Sequence, residues 1–126
     1  MKKKKILIVE DNKILLMMMR SFLERADYDV QVNMNGKGAL NLINDESFDV
    51  FIIDIMLPLI NGIELVHTIR QSSHNADSKV ILVSDYTDDH TIKDGFKIGA
   101  NDFLKKPISP MELVTRVKHH LNRAIA

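Results

Sequence analysis

The sequence predicts an α/β fold in which helices cover both faces of an open parallel sheet. Short apolar runs recur along the chain, and stretches with apolar residues at helical spacing separate them. Three of the runs are apolar throughout, which is typical of strands buried on both faces of a parallel sheet. Regular alternation of strands and helices implies right-handed crossovers and a doubly wound sheet, whose ligands lie at the carboxyl ends of the strands.

The predicted elements form five strand–helix pairs. The first, third and fourth strands are the continuous apolar runs, whereas the second and fifth are expected nearer the edges. The strands are predicted at residues 6–9, 29–32, 50–53, 80–83 and 103–104. The helices are predicted at residues 14–25, 36–43, 62–69, 91–98 and 110–121. Asp11 or Asn12 is placed to cap the first helix, and the three methionines at residues 17–19 are interpreted as core filling.

Length and composition predict one globular domain. The 126 residues, of which 45% are hydrophobic and 27% charged, are enough for one core, so we expect a single domain over residues 1–126 and no second domain. The formal net charge is zero, which gives no overall field for attracting nucleic acid or an anionic membrane. The basic run at residues 2–5 is interpreted as a solvated lead-in to the first strand in preference to a binding tail.

Cysteine content and hydropathy predict the cellular compartment of the protein. The chain contains no cysteine, which excludes disulfides, thiolate metal sites and thiol nucleophiles. The apolar run after the basic start is too short for a signal peptide, and no stretch approaches the length of a membrane span. We therefore expect a cytoplasmic protein without a membrane partner.

Polar side chains stand at the ends of four predicted strands. Glu10 and Asp11 follow the first strand, Asp54 the third and Ser84 the fourth, and Lys106 comes shortly after the fifth. Carboxylates that neighbouring strands bring together repel one another unless a cation lies among them, and their oxygens suit Mg²⁺ or Mn²⁺. Each residue alone also has an ordinary explanation, as a helix cap, a strand end, a turn or an exposed charge. Their joint occurrence favours a metal site.

Across essentially its whole length the sequence resembles the receiver domain of two-component response regulators, the CheY-like superfamily. The motifs that carry the resemblance are IVEDN at residues 8–12, DIMLP at 54–58, NG at 61–62, GANDF at 99–103 and KP at 106–107. The resemblance implies a flavodoxin-like (βα)5 domain with a five-stranded sheet in the order 2-1-3-4-5. It also implies a phosphorylation-activated signalling switch.

The resemblance assigns the phosphoryl chemistry residue by residue. Asp54 matches the phosphoacceptor, a carboxylate that attacks a phosphohistidine and forms an acyl phosphate. Glu10 and Asp11 match the acidic pair that holds Mg²⁺, for which Mn²⁺ is an expected substitute. Asp54 and the backbone carbonyl of Met56 complete the expected metal ligands. Such a domain is not an enzyme in the usual sense, because it catalyses only its own phosphotransfer and autodephosphorylation.

The resemblance also assigns a switch. Lys106 matches the lysine that pairs with a phosphoryl oxygen, and its bond to Pro107 is typically cis in this family. Ser84 matches the hydroxyl that moves onto the phosphoryl group, and Phe103 the aromatic residue that then swings inward. The expected readout face consists of the fourth helix, fifth strand and fifth helix.

Three residues are expected to modulate this chemistry. Asp85 stands where the family usually has a small residue, and we favour a solvated side chain over one that points at the phosphoryl group. Met56 and Tyr86 occupy positions that shield the acyl phosphate from water, and their bulk predicts a long lifetime. The five histidines have neither metal-ligand nor triad spacing and receive no catalytic role.

The expected partners are a histidine kinase or phosphotransfer protein, and an output protein or a DNA-binding domain missing from this chain. Direct nucleic-acid binding is not expected. Asp102 and Arg116 lie where dimerising relatives place charged pairs, but Ile92 replaces a frequent basic residue, so a monomer or a weak phosphorylation-dependent dimer is predicted. The alternatives are a receiver-like interaction module that is never phosphorylated, or an enzyme of the same fold, which would need a nucleotide loop or an oriented general base.

Overall fold

The structure, a computed structural model, describes residues 2–85 and 88–122. Five strands alternate with five helices, as predicted, and most elements extend one or two residues beyond the predicted bounds. The strands are β1 (Lys5–Val9), β2 (Asp29–Asn33), β3 (Val50–Asp54), β4 (Lys79–Ser84) and β5 (Asp102–Lys105). The helices are α1 (Lys13–Arg25), α2 (Gly36–Asp45), α3 (Gly62–Gln71), α4 (Asp89–Ile98) and α5 (Pro110–Asn122).

The strands form one parallel sheet in the order β2-β1-β3-β4-β5, which confirms the predicted α/β topology. In the register of the three central strands, Val9 lies opposite Ile53 and Asp54 opposite Val83. The carboxyl ends of β1, β3 and β4 therefore meet at one edge of the sheet. Asp54 and Ser84 are the last residues of their strands, which fixes both side chains more firmly than the loop positions that were predicted.

Two hydrophobic clusters cover the two faces of the sheet. In β1, Leu7 and Val9 belong to the cluster beneath α2 and α3, whereas Ile6 and Ile8 belong to the cluster beneath α1 and α5. All four side chains are fully buried. Burial on both faces explains the continuous apolar runs at residues 6–9, 50–53 and 80–83 within the central strands.

The interpretation of the three methionines as core filling is wrong for Met17. Met19 is 1% exposed and packs in the core, but Met17 is 48% exposed. Successive residues on a helix point about 100° apart, so three consecutive side chains cannot all face the sheet. The neighbouring Ile14 is 84% exposed on the same helix.

Polar caps fix where the helices begin. The Asn12 side chain accepts a hydrogen bond from the backbone N–H of Leu15 at 3.1 Å, so Asn12 and not Asp11 caps α1. Asp11 is therefore available to the strand-end site. None of the helices in the described part of the chain has the length and apolar character that a membrane span requires.

Candidate functional site

Three carboxylates converge at the carboxyl edge of the sheet. Glu10, Asp11 and Asp54 each offer one oxygen, and these oxygens lie within 4.8 Å of one another. Glu10 and Asp54 are buried, at 0% and 3% exposure, whereas Asp11 is exposed. The structure thus brings together the acidic residues that the sequence placed at the ends of two neighbouring strands.

A glycine allows the chain to close tightly over this site. A side chain at Gly62 would place its Cβ 2.5 Å from the backbone oxygen of Asp54. The N–H of Gly62 donates to the backbone oxygen of Ile55 at 2.8 Å, which draws the start of α3 against the end of β3. Only glycine fits this approach, and it holds the loop after Asp54 in place.

Lys106 supplies the positive charge of the site. Its Nζ lies 2.9 Å from Asp54 Oδ2 and 3.0 Å from Glu10 Oε1. Its backbone N–H donates to the Ser84 carbonyl at 2.9 Å, which holds the residue against the end of β4. The Lys106–Pro107 peptide bond is cis, as the resemblance implies, and Lys105 is exposed.

Burial strongly perturbs the ionisation of Glu10. The pKa of Glu10 is raised from 4.5 to about 7, mainly because burial desolvates the carboxylate and in smaller part because of the nearby charge of Asp54. The hydrogen bond from the Asn12 N–H and the Lys106 ammonium at ion-pair distance act in the opposite direction. For Lys106, burial alone would lower the pKa, but the hydrogen bond to Asp54 and the negative charges of Asp54 and Glu10 outweigh burial and raise it.

The donor set fits a hard divalent cation. Glu10 Oε2 accepts a hydrogen bond from the N–H of Asn12 at 3.0 Å. Glu10 Oε1 lies at ion-pair distance from Lys106 but, among the described residues, is the buried side-chain oxygen without a partner in hydrogen-bond geometry. A buried, incompletely satisfied carboxylate beside two others is the chemistry that Mg²⁺ or Mn²⁺ would complete.

Met56 contributes to the site through its backbone. The N–H of Met56 donates to Asp54 Oδ1 at 2.9 Å, so each oxygen of Asp54 has a donor: Met56 for Oδ1 and Lys106 for Oδ2. The Met56 side chain is 57% exposed at the rim. The metal-ligand role of its carbonyl stays a prediction.

The predicted switch residues lie next to the site. Ser84 is fully buried and pairs with Lys105 in the sheet. It ends β4, the strand directly beside β3, which ends in Asp54. Phe103 is half-buried and packs against the cluster beneath α2 and α3. Asp85 is exposed, in keeping with a solvated loop residue. Tyr86 lies outside the described residues.

The predicted interface pair lies inside one molecule. Arg116 Nη1 is 2.6 Å from Asp102 Oδ1, and His120 Nε2 is 2.8 Å from Asp102 Oδ2. His120 is only 5% exposed. Sequence reasoning missed this contact, although His120 continues the spacing of the buried residues Leu113 and Val117 along α5.

The fold and the site together define a receiver domain, and comparisons with known proteins agree. The model of the response regulator receiver domain family matches residues 6–118, so the chain belongs to that family. The chain is 35% identical, over 121 residues, to the alkaline phosphatase synthesis transcriptional regulatory protein PhoP of Bacillus subtilis, covering 96% of this chain and 50% of PhoP. It is the receiver domain of a response regulator of two-component systems.

Solved structures show the same architecture. A CheY-like receiver domain protein from Methanospirillum hungatei superposes with a TM-score of 0.91 at 28% identity, covering 97% of this chain and 96% of that chain. The BeF3-activated receiver domain of DrrB from Thermotoga maritima superposes with a TM-score of 0.88 at 32% identity, covering 96% and 99%. The chain spans about half the length of the curated relatives it matches.

Proposed function

We propose that Asp54 accepts a phosphoryl group from a phosphohistidine of a histidine kinase or phosphotransfer protein, and that the acyl phosphate switches the binding of an output partner. The observation that carries this proposal is the convergence of Lys106, Glu10 and Asp11 on the buried Asp54 carboxylate. A strand-end aspartate without these neighbours would be an ordinary structural residue.

The chemistry is a displacement at phosphorus. A carboxylate oxygen of Asp54 forms a bond to phosphorus, and the bond between phosphorus and the donor nitrogen breaks, which leaves an acyl phosphate on the chain. Asp54 is held for this attack by the N–H of Met56 and the Nζ of Lys106. The fixed donors reduce the reorganisation that the transfer requires.

Glu10, Asp11, Asp54 and the backbone carbonyl of Met56 are the residues that would hold Mg²⁺, with Mn²⁺ as a substitute. When bound, Mg²⁺ supplies neutralisation of the charge on the phosphoryl oxygens. Lys106 adds a fixed positive charge at the same place, because its Nζ already lies 2.9 Å from Asp54. The same groups assist the later hydrolysis that resets the domain.

The switch begins with the charge that the phosphoryl group adds. About two negative charges at Asp54 attract the Lys106 ammonium and the Ser84 hydroxyl, which stabilises the state in which both close on the phosphoryl group. Movement of Ser84 at the end of β4 makes room for Phe103 on the adjacent strand β5. The output partner, another protein or a DNA-binding domain, would then read the surface of α4, β5 and α5.

The same surface bears on the proposed oligomeric state. Asp102 is engaged by Arg116 and His120 of its own chain, so a contact between two copies must compete with these internal bonds. This supports a monomer or a weak, phosphorylation-dependent dimer.

The alternative is a receiver-like interaction module that is never phosphorylated. Asp85 would favour this alternative if its carboxylate pointed at the phosphoryl group, because the two negative charges would repel each other. The exposed position of Asp85 and the assembled site favour phosphorylation instead.

Intact mass spectrometry tests the proposal. The protein is incubated with Mg²⁺ and acetyl phosphate, and Asp54→Asn is compared with the matched variant Asp85→Asn, which removes an exposed carboxylate nearby. We expect one phosphoryl adduct in the wild type and in Asp85→Asn, none in Asp54→Asn, and none with EDTA. No adduct from acetyl phosphate or from a phosphorylated histidine kinase would support the interaction module.

A further inference from the structure

Among the five helices, α4 has the fewest buried residues. All ten residues of α4 are described, and Gly95 is the only buried one among them. Each of the other four helices buries three or four residues. Elements with few buried contacts open at low free energy, so we expect α4 to be the most easily displaced of the five helices.

The carboxyl end of α4 is nevertheless tied down by Arg70, the penultimate residue of α3. Arg70 Nε and Nη2 donate to the Gly99 carbonyl at 3.0 and 2.6 Å. Nη2 also donates to the Asn101 side-chain oxygen at 2.8 Å, and that oxygen accepts the N–H of Val80 at 2.8 Å. One guanidinium group therefore joins α3 to the turn after α4 and, through Asn101, to β4.

The remaining nitrogen of Arg70 also joins α3 to the segment before β4. Nη1 donates to the carbonyls of Ala76 and Ser78, at 3.0 and 2.6 Å, in the segment that leads into β4. Burial lowers the pKa of Arg70, although the charge of Asp77 opposes this. Hydrogen bonds from a charged donor in a partly desolvated setting are stronger than neutral ones.

Two glycines let the carboxyl half of α4 lie close to its neighbours. Gly99 has a φ of 127°, and a Cβ there would lie 2.8 Å from Arg70 Nε. A Cβ at Gly95 would lie 2.7 Å from Leu82 Cδ1 in β4. A larger residue at Gly95 would press on the Leu82 side chain, and one at Gly99 would crowd the Arg70 side chain in a backbone conformation that favours glycine.

The amino-terminal half of α4 has no comparable anchor in the described residues. Its cap is local, because Asp88 Oδ1 accepts the N–H of Thr91 at 2.8 Å within the same turn. Asp89 and His90 are exposed. The amino-terminal half of α4 follows Ser84 closely in the chain. In the proposed function, Ser84 moves onto the phosphoryl group.

From this contrast we propose that Arg70 is a positioning residue that makes the turn at residues 99–101 the pivot of α4. The inference rests on the proposed function, since phosphorylation provides the displacement. The amino-terminal half of α4 then carries the response, while Arg70 keeps the carboxyl end and β5 in register.

Amide hydrogen exchange on the full chain tests the pivot, with Mg²⁺ and beryllofluoride as a stable phosphoryl mimic. In the wild type we expect exchange at residues 89–94 to change by about tenfold on activation, while residues 99–101 change by less than about twofold. Equal changes at both ends, or changes confined to the carboxyl end, would overturn the pivot.

Arg70→Lys keeps the charge and removes the planar fork, and Arg20→Lys on the surface of α1 is the matched control. Without any phosphoryl mimic, we expect Arg70→Lys to speed exchange at residues 99–101 and at Val80 by about tenfold, and Arg20→Lys to leave it unchanged. Unchanged protection in Arg70→Lys would overturn the anchor. A wild type that shows neither a mass adduct nor any exchange response would instead reject the proposed function, and the pivot role with it.

Discussion

Glu10 and Asp54 share one internal cation, the ammonium group of Lys106, at 3.0 and 2.9 Å. One positive charge cannot fully neutralise two buried carboxylates and the exposed Asp11 beside them. Burial is the main cause of the raised pKa of Glu10, and the uncompensated charge of Asp54 adds to it. The residues of the site are therefore arranged for a second cation.

The raised pKa of Glu10 predicts that the stability of the folded protein depends on pH. Because folding raises the pKa of Glu10 from 4.5 to about 7, Glu10 contributes stability that is fully present below about pH 4.5 and is lost as the pH rises to about 7. The loss is on the order of 3 kcal/mol. We expect the Tm in EDTA to fall across this window, and Mg²⁺ to reduce the fall because it stabilises the ionised carboxylate.

Calorimetry of the wild type and Glu10→Gln checks this prediction. Glutamine keeps the shape of the side chain and cannot ionise, so its Tm is expected to vary less between pH 5 and pH 7. The same slope in both proteins would show that Glu10 does not govern the dependence.

At the scale of elements, β5 and α5 are joined by the Asp102 carboxylate. Burial alone would raise the pKa of Asp102, but the bonds from His120 and Arg116 outweigh burial and lower the pKa. Folding stability from Asp102 is thus present above its unfolded pKa and is lost as the pH falls through the lowered value. The last two turns of α5 depend on this contact, next to Phe103.

Two adjacent histidines offer a matched test of this connection. His120 is 5% exposed and bonded to Asp102, whereas its neighbour His119 is exposed. We expect His120→Ala to lower the free energy of unfolding by about 2 kcal/mol, through a lost hydrogen bond and a cavity, and His119→Ala to change it by less than about 0.5 kcal/mol. Urea denaturation measures both, and equal effects would contradict the assigned contact.

Sequence patterns predicted the elements well because each pattern is local. Continuous apolar runs mark strands covered on both faces, and Asn12 caps α1 from within its own turn. The same reasoning missed the bonds of Arg70 to Gly99 and of His120 to Asp102, because these partners lie 29 and 18 residues away in the chain. The prediction for Met17 fails for another reason, because a run of three methionines is apolar throughout while helical periodicity turns Met17 towards solvent.

At the scale of the whole molecule, the doubly wound topology explains why the site could be predicted at all. Parallel strands direct all their carboxyl ends to one edge, so residues distant in the sequence must converge there. Glu10, Asp54 and Lys106 come from β1, β3 and the segment after β5, and the sheet order sets which of them meet. The pivot at residues 99–101 is a tertiary arrangement with no comparable signal in the sequence.

The location of the phosphoryl group decides whether Asp54 is the phosphoacceptor. After incubation with Mg²⁺ and acetyl phosphate, borohydride reduction converts an aspartyl phosphate to homoserine, and peptide mass spectrometry identifies the altered residue. We expect homoserine at position 54 alone, in an amount that falls with EDTA. Modification at Asp11 or Asp85, with Asp54 intact, would contradict this expectation.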